Sequence, residues 1–518
     1  MNTTTHPPNF SLGDKEPTRW GHPRGLLALS LIEMWERFGY YGARAMLVLY
    51  LTAPATSDSP GRGWSYPEAV MFYGWLLGLT YLVPIYGGYI ADRWIGTHLS
   101  IVIGSLLSVA GYAALAIGSV GEWGASALGL SIQVGGLTLV VIGTGHFRSS
   151  ISVMVGQLYP PGDTRRDGGF GLFYMGINLG AFAGVAVCGW LGERLGWRYG
   201  FGAAAFAMCV GLLLYLTARR RVLRGIGLVH GRGAAIALLC LLIGIALAIA
   251  AALGFKTGAP TILLKPMTAG AASSAGIAAL ALIIIFVATL RKGERGRVAS
   301  IFILMVFQVL FWMAFEQSGS SLNVFIEKHT DRALGGFIVP TTWFLALNAL
   351  LVILLSPVFA QLWMTFDRRS VRATLPLKAA AGLFFLGSGF VCLAVAAANA
   401  AASDSKASML FIVAAILAHT VGELCIVPAG LSYVTRTAPV RFMSMLMGCW
   451  FLSNFVAHVA GGQLASTMDR IAGGEITLPW HFGGYADFFL LFAVTSLVGA
   501  VLALILSPLI KKLTDGRA

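Results

Sequence analysis

Apolar residues run in long blocks along this chain, separated by short clusters of Gly, Pro, Arg, Lys and Asp. Blocks of membrane length fall near 26–51, 68–90, 98–118, 131–154, 168–190 and 198–217. A pair follows near 232–254 and 271–290, and then 298–325, 336–361, 375–399, 407–434, 441–466 and 484–510. A hydrocarbon core about 30 Å thick needs about 20 apolar residues in a helix, so each block predicts a span. The pattern predicts an all-α polytopic membrane protein with 14 transmembrane helices, grouped six, two and six. The middle pair has no charge in its apolar body, which suits a lipid-facing hairpin between two functional halves. The expected organisation is a cytoplasmic tail at 1–25, a six-helix bundle at 26–217, a linker with the inserted hairpin at 218–297, a second six-helix bundle at 298–510 and a cytoplasmic tail at 511–518. Two six-span halves are a common transporter plan.

Composition and charge sharpen this picture. Of 518 residues, 57% are hydrophobic and 11% charged, against roughly 25% charged in soluble domains. The net charge of +14 reflects short basic loops such as RRRVLRG (219–225) and RKGERGR (291–297) rather than a nucleic-acid surface. With both termini cytoplasmic, most of the 36 Lys and Arg fall on the inner side, as the positive-inside rule requires. The six cysteines lie in apolar stretches without a CxxC pair and read as small packing residues, with no disulfide framework and no metal. The polar N-terminal segment, MNTTTHPPNFSLGDKEPTR, carries no interpretable motif, and no cleavable signal peptide is expected before the first span. HExxH, a P-loop and a nucleophilic GxSxG are all missing, so neither an enzyme nor a cofactor is expected.

The first block breaks the apolar rule. In IEMWERFGYYGARAMLVLYL (32–51), Glu33, Glu36, Arg37 and Arg44 stand where charge is expensive. Glu33, Arg37, Tyr40 and Arg44 are spaced 4, 3 and 4, so they form one helical stripe with Glu36 beside it. Glu33 and Arg37 can satisfy one another as a structural pair. Arg44 has no acidic residue in register on its helix and needs an anion from another helix or from a substrate. Other blocks supply Arg148, Asn178, Glu316, Asn348 and Glu423. Basic groups from one half and carboxylates from the other suit a dipolar substrate with a carboxylate and an ammonium.

These residues sit in motifs. The first span satisfies ExxERFxYYGxR through Glu33, Glu36, Arg37, Phe38, Tyr40, Tyr41, Gly42 and Arg44. YLVPIYGGYIADRWIG (81–96) is close to GGxxADRxxG, and FYMGINLG fits FYxxINxG. EQSGSSL, GELxxxPxGLS and GCWFLSN (448–454) follow in order. The chain therefore resembles the proton-dependent oligopeptide transporters of the major facilitator superfamily, bacterial type. The resemblance implies a major facilitator fold and a monomeric, proton-coupled symporter of di- and tripeptides in a bacterial inner membrane. By resemblance, Arg44 and Arg148 receive the peptide carboxylate, while Glu423, Asn178 and Asn348 hold its amino end. Tyr40, Tyr41, Tyr81, Trp312, Trp450 and Ser453 line side-chain pockets, with Asn454 beside them. Glu33, Glu36, Arg37 and Glu316 couple protons. In that scheme Glu33 and Glu36 pair with Arg37 and Arg148, and Glu316 pairs with Arg44 until it is protonated.

The chain also departs from the family pattern. Arg148 stands in GHFRS where a GxFKP lysine is usual, and a guanidinium cannot release its proton in a protein. His98 reads as a loop residue, Asp92 and Arg93 as a boundary pair, and His146 as a packing or hydrogen-bonding residue. Competing readings are a proton-coupled carrier of an amino acid, nitrate or a zwitterionic drug-like molecule, and a membrane scaffold or signalling protein. A scaffold has no use for charged residues in several spans.

Overall fold

The computed structural model describes residues 18–19, 21–56, 59–121, 126–160, 163, 165–227, 233–256, 268–368, 374–439 and 442–514. Most of the polar N-terminal tail and residues 515–518 of the C-terminal tail lie outside the described residues. Sixteen α-helices account for nearly all of the rest. They are α1 (Arg24–Thr52), α2 (Tyr66–Ile90), α3 (Gly96–Gly118), α4 (Ala127–Gln157), α5 (Arg165–Leu195), α6 (Trp197–Arg221), α7 (Gly233–Lys256) and α8 (Ala269–Thr289). Then come α9 (Lys292–Phe315), α10 (Ser321–His329), α11 (Thr341–Arg368), α12 (Leu375–Ala402), α13 (Met409–Thr437), α14 (Met443–Ala465), α15 (Met468–Ala472) and α16 (Tyr485–Leu513). The described strands are two-residue pairings in the connections.

Local chemistry sets several boundaries. Ser126 caps α4 by accepting from Gly129 N at 3.0 Å, which satisfies one of the orphan donors at a helix start. Arg219, Arg220 and Arg221 close α6, where positive charge offsets the carbonyl end of the helix dipole. ADRWI folds as a π-helix, Ala91–Ile95, and Gly96 at φ 76° lets the chain turn into α3. Among the described residues no ion pair joins Asp92 to Arg93; instead Arg93 lies 5.4 Å from the Tyr89 ring centroid. His98 is not a loop residue. It is buried near the start of α3, stacked on Tyr215, with its Nδ1 2.8 Å from the tyrosine hydroxyl.

Among the described residues, 11 helical runs are long and apolar enough to cross a membrane, short of the 14 expected. The difference has identifiable sources. Tyr66–Gly118 is one unbroken run of 53 residues containing both α2 and α3, the apolar part of α8 is only Ser273–Thr289, and charged α1 is not among the 11. The chain is a multi-pass membrane protein.

The described residues fall into two compact units. The first lies within Met1–Ala43, Asp58–Pro60 and Leu82–Gly258, and the second within Arg44–Ser57, Gly61–Tyr81 and Ala259–Ala518. The division follows packing rather than chain order, so α1 changes unit at Ala43 and α2 at Tyr81. The hairpin is also divided: α7 packs on α3 and α4, and α8 packs on α9.

Small residues bring the helices of each unit together, as they do wherever lipid offers no hydrophobic drive. In the first unit, Gly176, Gly180 and Gly184 of α5 lie against the backbone carbonyls of Ser30, Met34 and Phe38 of α1. In the same unit, Gly104 and Gly111 of α3 meet Gly143 and Gly136 of α4. In the second unit, Gly74 and Gly78 of α2 pack on α14, and Gly382 of α12 packs on Gly422 of α13. These contacts fix the helices that carry Glu33 to Tyr40, Arg148, His458 and Glu423.

Candidate functional site

In the first unit, the α1 stripe forms a buried charge cluster. Glu33 and Glu36 are each 2% exposed and Arg37 is 6% exposed. Arg37 Nε donates to Glu33 Oε1 at 2.6 Å, and Glu36 Oε2 lies 3.0 Å from the same nitrogen. Arg37 therefore contacts both carboxylates, whereas Arg148 acts on Glu36 through its charge without an ion-pair contact among the described residues. The Arg148 guanidinium lies over the Tyr40 ring, 4.1 Å from its centroid, an arrangement that attracts through the ring quadrupole. Its Nε and Nη2 are buried without a hydrogen bond among the described residues. Tyr41 stands edge-on to Tyr40 at 5.2 Å. On the same helix as Arg148, His146 turns toward α3, where its Nδ1 lies 3.2 Å from Ser100 Oγ. Asn178 of α5 donates to its own helix at Tyr174 O, 3.0 Å away.

The second unit holds the other charge cluster. Arg44 Nη2 and Glu316 Oε2 form a close ion pair, with side chains 12% and 7% exposed. Arg44 Nε also donates to Tyr73 OH at 2.9 Å. Asn323 of α10 donates to Ala45 O at 3.0 Å and anchors this part of α1. Glu316 stands where α9 ends and a 3₁₀ turn, Glu316–Gly319, begins. The second oxygen of Glu316, Oε1, lies 3.4 Å from His458 Nε2. Tyr81 covers that imidazole, ring centroids 4.9 Å apart.

Elsewhere in the second unit, Asn348 of α11 donates to Glu423 Oε2 and to Thr420 Oγ1, both at 3.0 Å. Asn348 thus orients the Glu423 carboxylate. The remaining candidates are more inward. Trp450 is 4% exposed and packs against Gly430, while Ser453 donates to Trp450 O at 2.6 Å. Trp312 packs edge-on to Phe311 and Phe315, its indole N–H buried without a partner among the described residues. Asn454 accepts from Gln308 at 3.4 Å. Tyr73 and His458 are the residues that sequence reasoning missed. A lone histidine in the apolar run FVAHVAGG was the available signal.

Buried ion pairs on small-residue-packed spanning helices suit a secondary transporter. The POT family profile matches residues 98–480. The peptide transporter YePEPT of Yersinia enterocolitica is 35% identical over 480 residues, 90% of each chain. The di-/tripeptide transporter of Lactococcus lactis subsp. cremoris is 30% identical over 523 residues, 98% of this chain and 100% of that one. A crystal structure of peptide transporter POT in complex with sulfate superimposes with a TM-score of 0.79 at 31% identity, covering 97% of this chain and 98% of that one. The chain belongs to the POT family.

Proposed function

We propose that this protein is a proton-coupled symporter that imports di- and tripeptides by alternating access. It acts as a monomer with 14 spans in a bacterial inner membrane, both termini cytoplasmic, with protons as the coupling ion and no cofactor. The observation that carries this reading is the buried Arg44–Glu316 pair. A proton arriving on Glu316 cancels its charge. Arg44 then lacks an anion in a poorly hydrated site, where an unpaired charge is costly. A peptide carboxylate supplies that anion through charge-assisted hydrogen bonds.

Arg148, resting on Tyr40, offers a fixed positive charge to a carboxylate. It holds the substrate but does not relay protons. Glu423, oriented by Asn348, receives the peptide ammonium. Tyr41, Tyr81, Trp312, Trp450 and Ser453 line side-chain pockets. Glu33, Glu36 and Arg37 adjust the other charge cluster during the cycle. Inward drive comes from the pH gradient plus about 2.3 kcal/mol per charge per 100 mV. The peptide-transporter relatives support the choice of substrate.

Labelled dialanine uptake into protein-containing liposomes tests the proposal. The expected result is accumulation above the external concentration when the interior is alkaline and negative, with no competition from nitrate or free glutamate. Equal competition by nitrate or glutamate, or uptake that ignores the gradient, overturns it.

A further inference from the structure

The coupling role proposed for Glu316 leaves one of its oxygens unaccounted for. Oε2 meets Arg44, whereas Oε1 faces His458 Nε2 at 3.4 Å. His458 is 2% exposed, on α14. Its Nδ1 lies 2.7 Å from the backbone carbonyl of Asn454. A carbonyl oxygen only accepts, so Nδ1 must carry a hydrogen. In a neutral imidazole the basic nitrogen is then Nε2. A neutral His458 would therefore aim a lone pair at an ionised carboxylate oxygen, two acceptors facing each other 3.4 Å apart. In a buried site two facing acceptors disfavour one another. One proton resolves it, as imidazolium with carboxylate or as imidazole with carboxylic acid.

The surroundings fit a proton that moves. Arg44 faces the same carboxylate, and the Tyr73 hydroxyl accepts from Arg44 Nε at 2.9 Å, so Arg44 keeps a partner if Glu316 turns away. Tyr81 lies against the imidazole face. Gln317 sends its amide hydrogens to Met313 O and Gly461 O, at 3.0 and 3.1 Å, rather than to this pair. A small cavity bordered by Tyr73, Glu316, Gln317, Ser320, His458 and Gly461 has room for about one water.

We propose that His458 is the second seat of the coupling proton: its Nε2 and Glu316 Oε1 hold one proton between them, and its arrival draws Glu316 away from Arg44. The inference rests on the reading of Glu316 as the coupling carboxylate. In the step, an O–H bond of a hydronium ion from the external side breaks and an N–H bond forms at Nε2. The Glu316 carboxylate accepts from that N–H and loosens its hold on Arg44. After the site opens inward, the same proton passes to cytoplasmic water.

His458→Gln tests this beside Glu316→Gln. Glutamine can hydrogen-bond but cannot titrate, so a purely structural histidine would be replaced with an unchanged pH profile. The expected result is that His458→Gln loses more gradient-driven uptake than peptide exchange. Its uptake–pH profile should move toward acid by about one unit, because Glu316 must bind the proton unaided. A wild-type profile in His458→Gln, with Glu316→Gln uncoupled, overturns this inference and leaves the Glu316 reading intact. Normal coupling in Glu316→Gln overturns both. Should His458→Gln fail to insert, ring ¹⁵N resonances of His458 in the wild type decide the matter. Protonation of Nε2 as pH falls between about 8 and 5 supports the proposal, and an unchanged Nε2 signal over that range overturns it.

Discussion

The substitution Glu316→Gln keeps the size of the side chain and removes its charge. Arg44 then loses its anionic partner and retains Tyr73 OH at 2.9 Å, while His458 Nε2 faces an amide in place of a carboxylate. Both partners of the pair are well buried, with side chains 12% and 7% exposed, so solvent does little to compensate. Removing one member of such a pair costs about 3–5 kcal/mol. That cost falls on the conformation that holds the pair, and at about 1.4 kcal/mol per tenfold it changes the population by about two to three and a half orders of magnitude. A gradient of one pH unit supplies about 1.4 kcal/mol, and 100 mV adds about 2.3 kcal/mol per charge. The two together are of the size needed to open the pair, so one proton per opening is energetically sufficient. Glutamine binds no proton, and the gradient loses its handle. Gradient-driven dialanine uptake should fall to the downhill level, while exchange of internal for external peptide is retained. Liposomes with an imposed pH difference separate the two modes. Mutant uptake that still rises with the gradient as in the wild type would refute the reasoning and move the coupling role to Glu33 and Glu36.

Glu423→Gln should weaken binding of free dialanine by about 2–5 kcal/mol through loss of the ammonium partner, with acetylation of the peptide equally harmful. Calorimetry showing wild-type affinity for both peptides would remove Glu423 from the site. Arg148→Lys should keep substantial transport and Arg148→Gln should lose it, since the lysine preserves a charge over Tyr40 without the rigid fork; initial uptake rates decide, and a fully active Gln variant would make Arg148 structural. Gly74→Val should lower thermal stability in detergent by about 1–3 kcal/mol, because a Cβ there would lie 2.7 Å from His458 O and 3.0 Å from the Gly462 Cα. An unchanged melting temperature would mean that the α2–α14 contact yields freely.

The sequence carried the architecture because apolar block length reports a span directly, and because the α1 stripe is periodic on a single helix. Glu33, Arg37 and Tyr40 could be placed on one face from spacing alone. Partnership between helices was harder to read. His458 is 142 positions from Glu316 in the sequence, on a span that otherwise looks ordinary, and spacing along one helix says nothing about a neighbour across the bundle. The same limit hid Tyr73 as a second acceptor for Arg44. The family resemblance pairs Arg148 with a carboxylate of α1, whereas its planar guanidinium lies over the Tyr40 face and Arg37 serves both Glu33 and Glu36. Part of the difference in span count arises because the π-helix at Ala91–Ile95 leaves α2 and α3 without a break. The division of α1 and α2 between units depends on which neighbours each half meets, which hydropathy does not encode.

The central claim is that peptide and proton cross together through the Arg44–Glu316 pair. Its most direct test is a simultaneous record of labelled dialanine entry and internal pH in liposomes, for the wild type and Glu316→Gln. The account predicts that adding dialanine acidifies the interior of wild-type liposomes in step with peptide entry, and that the variant exchanges peptide without acidification. Peptide entry with no proton signal in the wild type, or an undiminished proton signal in Glu316→Gln, would contradict it.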